Sequence, residues 1–167
     1  MSKRSNQQIG GWVIPVSILV AMILSVVSYP DWMRYAVPHW LSLVIFYWCI
    51  AAPDRMNVGN AWIAGLLLDL LLHTLFGVHA ITAALVALAA VTSHQRLRMY
   101  HIWQQCLVVF LIACIEVTFV GWVFYLTNDA ALRLVYWQAA LTTALLWPVV
   151  YITLRFVRQR SGISRFR

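Results

Sequence analysis

Acidic side chains are almost missing from this chain: Asp31, Asp54, Asp69, Glu116 and Asp129 are the whole set in 167 residues. All charged residues together make up 10% of the sequence, where a soluble domain carries about 25%. So little charge cannot cover a water-facing surface, and most of the chain must be solvated by lipid. Cysteine is sparse as well. Cys49, Cys106 and Cys114 sit inside apolar runs, and no C-x-x-C occurs, which argues against a zinc site or a disulfide framework. Buried, unreactive thiols are expected. Catalytic signatures are absent: there is no G-x-S-x-G, H-E-x-x-H, Walker A or Gly-rich dinucleotide turn. The reading is therefore of a protein that is not an enzyme, with no catalytic residue, cofactor or metal ligand.

What is abundant is apolar. Hydrophobic residues make up 63% of the chain, and the mean hydropathy is +0.79. The expected fold is an all-α, polytopic membrane helical bundle of six transmembrane helices, forming a single integral membrane domain over 1–167. The spans are expected at about Gly11–Tyr29, Pro38–Ala52, Val58–Phe76, Val78–Thr92, Ile102–Thr127 and Val135–Val157. The first follows Lys3 and Arg4 as a signal peptide would, but is read as an anchor that stays. The second rises only ~22 Å, short of a ~30 Å hydrocarbon core. An amphipathic lead-in over Asp31–Val37 is expected to complete it, with Pro38 in the first helical turn. Gly77 separates spans three and four into a tight hairpin. Pro148 should kink or loosen the sixth.

The net charge of +7 resembles a nucleic-acid signal, but the basic residues lie between and beyond the apolar runs. They are better read as topology determinants and contacts for anionic lipid headgroups, with no nucleic acid involved. Lys3, Arg4, Arg55, Arg96, Arg98, Arg155, Arg158, Arg160, Arg165 and Arg167 fall on one side of a six-span layout, and Arg34 and Arg133 on the other. This asymmetry places both termini in the cytoplasm: a short segment over 1–10 and a basic tail over 158–167. Trp12, Trp32, Trp40, Trp103 and Trp137 stand near span ends, as interfacial indoles do. Trp48, Trp62, Trp122 and Trp147 lie deeper and should pack between helices or against lipid. His39, His79, His94 and His101 are scattered near span ends and are read as interfacial polarity.

Two acids fall within apolar spans, Asp69 and Glu116. A charge at the bilayer centre costs ~2.5–3.5 kcal/mol even on the lenient insertion scale. Such a residue should face the bundle interior, find a partner or stay protonated. His73 follows Asp69 at i+4 on the same face and is its expected partner. Ala61, Gly65, Asp69, His73 and Gly77 recur every four residues. Each step of four drifts ~40° around the helix, so the central three share a face. The small residues would let another helix approach closely. Asp69 and Glu116 are expected at similar depth, able to share one polar pocket. Three readings stay open: a polar clasp between helices, an ion or proton path, and a contact for another protein's helix.

Several segments taken together resemble the MreD family of bacterial rod-shape-determining inner-membrane proteins. Pro38-His39-Trp40-Leu41, the Tyr47-Trp48 pair and Pro53-Asp54-Arg55-Met56-Asn57-Val58-Gly59 resemble its opening signature. Gly65-Leu66-Leu67-Leu68-Asp69-Leu70 and Leu75-Phe76-Gly77-Val78 resemble its central motif. Trp103-Gln104-Gln105, Leu146-Trp147-Pro148 and Val157-Arg158-Gln159 resemble its proteobacterial branch. Phe76 departs from the pattern, where many relatives have a smaller polar residue. The resemblance implies a non-enzymatic member of the complex that builds lateral cell wall. Its partners would be MreC and, through it, MreB, RodA and a class B penicillin-binding protein. It also implies a fold similar to the substrate-binding subunits of energy-coupling-factor vitamin transporters. The residues that match the family's motifs are Gly65 and Asp69 in the central motif, Gly77 in the hairpin, and Pro38 and Trp40 at the start of span two. Two competing functions are a vitamin-type binding subunit, and a proton or ion conductor using Asp69 and Glu116.

Overall fold

The computed structural model describes residues 12–30, 36–128 and 137–161, and among them the regular structure is helical throughout. Six helices occur in chain order: α1 (Val13–Val26), α2 (Trp40–Ala51), α3 (Val58–Leu72), α4 (Val78–Met99), α5 (Ile102–Asn128) and α6 (Trp137–Arg160). Each falls where a span was expected. Among the described residues, only α4, α5 and α6 are long and apolar enough to cross a membrane on their own. The others have 14, 12 and 15 residues, which rise only ~18–22 Å. The proposed lead-in from Asp31 lies largely outside the described residues.

The short α2 is the centre of the bundle. It packs against α1, α4 and α6, and nine of its twelve residues are buried, from Leu41 through Ile50. A helix hydrophobic all round is suited to such an interior position. Its length is set by two prolines. Pro38 does not enter the first turn as expected. It stands two residues ahead, and its carbonyl accepts the Trp40 N–H at 2.9 Å. At the other end Ala52 adopts φ −146°, because the residue before Pro53 is pushed out of the helical region. The loop then turns on the Ala52 carbonyl, which accepts the Arg55 and Met56 N–H groups, each at 3.0 Å. Asn57 caps α3 by accepting the Asn60 N–H at 3.0 Å.

Interior tryptophans join the helices by both apolar area and a hydrogen bond. Trp48 and Trp147 are fully buried. The Trp48 indole donates from α2 to Ser17 of α1 at 2.8 Å, and the Trp147 indole from α6 to Gln105 of α5 at 3.2 Å. Trp40 donates to the Tyr29 hydroxyl at 3.1 Å. Trp62 and Trp122, by contrast, point outward. So do Trp12 and Trp103, at 72% and 79% exposure, as a lipid-facing or interfacial ring should.

Two expected boundaries shift. Helix α4 continues seven residues past Thr92 to Met99. Leu97 stays buried, and Arg96 and Arg98 in its last turn favour the negative end of the helix dipole. Helix α3 ends at Leu72, before the expected Phe76. His73 takes a left-handed conformation with φ 51°, and the Thr74 N–H reaches back to the Asp69 carbonyl at 3.1 Å. This is the geometry that closes helix C-termini, usually with glycine at the left-handed position. Helix α6 continues through Pro148 without a break.

Candidate functional site

The α3–α4 hairpin explains why an acid lies in an apolar span. Helix α4 begins at Gly77, whose φ of 99° suits a residue without Cβ, and it has no capping side chain of its own. Its first N–H groups would lie unpaired in lipid. Asp69, on the last turn of α3, supplies the cap instead. The carboxylate is fully buried. Its Oδ2 accepts the Gly77 N–H at 2.9 Å and the Ala80 N–H at 3.3 Å. Oδ1 accepts the His79 N–H at 3.0 Å and the Thr74 hydroxyl at 3.0 Å, and pairs with His79 Nδ1 at 2.8 Å. An anion at a helix N-terminus meets both free donors and the positive end of the dipole.

The partner of Asp69 is thus His79, across the hairpin, and not His73. Four residues along the same helix is the right spacing only while the helix continues. The chain turns left-handed at His73, and its side chain faces outward. Gly65 admits the close helix approach expected of it, and the helix is α4 of the same chain. A Cβ there would fall against the His79 carbonyl, 2.5 Å from the Ala80 Cα and 2.7 Å from its N. The glycine lets α3 and α4 touch within one chain. Thr74 and His79 were missed by reading along one helical face, although T-x-x-G-x-H does place two donors around a turn glycine.

Glu116 lies on α5, 4% exposed. It is at a second polar point and not in a pocket shared directly with Asp69. Its Oε1 accepts the Ser42 hydroxyl of α2 at 2.6 Å, while Oε2 is buried with no partner. A cavity of about 150 Å³ lies beside it, lined also by His39, Trp40, His79 and Thr82. His79 is the link: it pairs with Asp69 and faces the same cavity as Glu116. The start of α2 is held nearby by α6, where Thr143 accepts the His39 N–H at 3.0 Å and Thr142 donates to the Ala36 carbonyl at 2.8 Å. Pro38 and Trp40 line that cavity as well. Among the described residues, no group of three His, Cys, Asp or Glu side chains is placed to hold a metal.

The comparisons decide the family. Residues 6–157 match the family described as rod shape-determining protein MreD. The chain belongs to the MreD family. It is 30% identical over 145 residues to the rod shape-determining protein MreD of Haemophilus influenzae, covering 85% of this chain and 88% of that one. No solved structure matches. Membership in MreD makes this a membrane protein of the rod-shape system, in keeping with its apolar helices.

Proposed function

We propose that this MreD chain is a non-enzymatic membrane scaffold of the cell-wall elongation complex, and that it holds the membrane helix of MreC. Through MreC it would be joined to MreB, RodA and a class B penicillin-binding protein. All six helices cross the bacterial inner membrane as one integral domain, both termini are cytoplasmic, and the arrangement is like that of the energy-coupling-factor substrate-binding subunits. The short α1, α2 and α3 cross by lying against longer neighbours and by local thinning of the bilayer.

The observation that carries this reading is a shallow apolar groove between α4 and α5. It is lined by Thr82, Leu85, Val86 and Ala89 on one side and Ile112, Ile115, Glu116 and Phe119 on the other. Helix association in lipid depends on close packing and on small residues that permit it. Ala89 and Thr82 supply the small positions, and the free Glu116 oxygen supplies an acceptor at the floor. Of the seven residues singled out by sequence, Gly65, Asp69, His73 and Gly77 are assigned to the hairpin, Pro38 and Trp40 to the start of α2, and Glu116 alone to the partner surface. The test is co-purification with MreC. Ala89→Trp should reduce recovery of MreC by at least about tenfold, since a clash with one packed helix is worth more than ~1.4 kcal/mol. Leu107→Trp, on an outward face of α5, should not. Equal recovery with both variants removes the groove, and no recovery with the unaltered chain removes the scaffold.

One observation favours a second reading. The unpartnered Glu116 oxygen beside His79 is what a proton path would need. Reconstituted chain should then carry a pH-driven flux that Glu116→Gln abolishes, and a flat trace disposes of it. A vitamin-type ligand would need a roomy cavity at the outer end of the bundle, and the one beside Glu116 and His79, at about 150 Å³, is below the ~300–1,000 Å³ usual for small-molecule sites.

A further inference from the structure

A much larger cavity lies at the opposite end of the bundle, where α2, α4 and α6 finish. It has a volume of about 680 Å³. Four arginines line it, Arg55, Arg98, Arg155 and Arg158, and among the described residues Asp54 is the one acid on its wall. Among the described residues none of these arginines forms an ion pair. Arg98 is occupied: it donates to the Ile50 carbonyl at 2.9 Å and the Ala51 carbonyl at 3.3 Å, closing the end of α2. Arg158 is not, for its Nε is buried without a partner. Beside it in the lining, the Tyr47 hydroxyl is also buried without a partner, on a residue 3% exposed. The ring of Tyr47 is fixed edge-on against Tyr151 at 5.8 Å and against Trp48 at 5.3 Å, so the hydroxyl cannot easily turn away.

Buried donors without acceptors are rare and costly, and two of them converging on one basic cavity call for an acceptor. We propose that this cavity binds a phosphate-bearing anion, supplied either as the headgroup of an anionic lipid or as a soluble phosphate compound. The chemistry follows from the lining. Guanidinium forks match phosphate oxygens in pairs, and such charge-assisted bonds are about twice as strong as neutral ones. Arg158 and Arg155 would hold the phosphate, Tyr47 would donate a neutral bond to it, and Arg55 would close the rim. Trp147 and Tyr151 give the wall an apolar side suited to the glycerol and first methylenes of a lipid. The volume exceeds what a bare phosphate needs and lies within the usual range for ligand sites. The site is independent of the proposed MreC groove, which is formed by other residues.

The full chain is purified in a neutral detergent and delipidated. Binding of phosphatidylglycerol, phosphatidylcholine, glycerol phosphate and inorganic phosphate is then followed by native mass spectrometry and thermal shift. Phosphatidylglycerol should bind in preference to phosphatidylcholine. Arg158→Gln should weaken it by about tenfold or more, and Tyr47→Phe by about threefold, in line with the usual strengths of charged and neutral hydrogen bonds. Arg160→Gln should have no effect, because Arg160 lies over the Phe156 ring at 4.5 Å and outside the cavity. Binding of the soluble phosphates with the same arginine dependence assigns a soluble source, and binding of the lipid alone assigns a headgroup. Should Arg158→Gln not fold, Arg155→Gln and Tyr47→Phe carry the test. Equal affinity for phosphatidylcholine overturns the proposal. So does loss that is the same in Arg160→Gln, or an acidic peptide that alone binds with this arginine dependence.

Discussion

The two ends of the bundle treat buried charge in opposite ways. At the α3–α4 hairpin, Asp69 accepts five hydrogen bonds, from Thr74, Gly77, His79 and Ala80. At the far end, Arg158 and Tyr47 line a cavity with donors that have no acceptor. A charge whose bonds are all made inside the chain contributes to folding and has nothing left to offer a ligand. A charge left open costs stability until something binds. Conspicuousness in sequence is therefore a poor guide to function here. Asp69, conspicuous as an acid within an apolar helix, has its bonds made inside the chain, whereas arginines that look like ordinary topology signals line the proposed open site.

If that contrast is right, stability should be lost chiefly at the hairpin. Asp69→Ala strands the donors of α4 in an apolar surround. Breaking a buried charge network by removing one partner costs ~3–5 kcal/mol, so the variant should accumulate poorly and melt far below the parent in detergent. Asp69→Asn keeps one acceptor oxygen and should fall between the two. An Asp69→Ala protein that melts like the parent would show that the hairpin does not depend on its cap. Next in size is Gly65→Ala, where the added methyl meets the backbone of His79 and Ala80. Backbone cannot rotate away as a side chain can, and overpacking typically costs ~1–3 kcal/mol. A melting temperature unchanged from the parent would mean that α3 and α4 separate readily.

A smaller effect of opposite sign is expected at His73. Its left-handed φ of 51° is costly for a residue with a Cβ, by roughly 1–2 kcal/mol. Among the described residues the exposed side chain has no hydrogen bond or ion pair that would offset this. His73→Gly should therefore raise the melting temperature, the gain being trimmed by the greater freedom of glycine in the unfolded chain. Lower stability would instead assign the imidazole a role in the hairpin.

Much of this arrangement was legible in the sequence, because lipid imposes simple rules. Apolar runs located all six helices, and Gly77 located the hairpin. The MreD motifs gave the family. What escaped were consequences of chain reversal. Periodicity along a helix pairs Asp69 with His73, and only the turn itself brings Thr74 and His79 to the carboxylate. The small residue Gly65 did indicate a close helix approach, but not that the neighbour is the next helix of its own chain. The burial of α2 was hidden too, since a central helix and a lipid-facing one are equally apolar. The basic cavity was beyond reach, for Arg55, Arg98, Arg155 and Arg158 come from three separate parts of the chain and meet only in the fold.

The finest test of the contrast is Tyr47→Phe, measured without any phosphate present. The substitution keeps the ring and its edge-on contacts with Trp48 and Tyr151, and removes one oxygen. Deleting a hydroxyl that makes a good bond costs ~0.5–1.5 kcal/mol, whereas deleting a buried one with no partner removes a desolvation penalty. Stability should therefore hold or rise slightly in the delipidated protein. The stabilisation gained on adding phosphatidylglycerol should fall. These two signs together separate an open donor from a structural one. At the hairpin, Thr74→Val makes the matched comparison: its hydroxyl already donates to Asp69 at 3.0 Å, so its loss should lower stability with or without lipid. If both hydroxyls behave alike, the division of the bundle into a closed end and an open end fails.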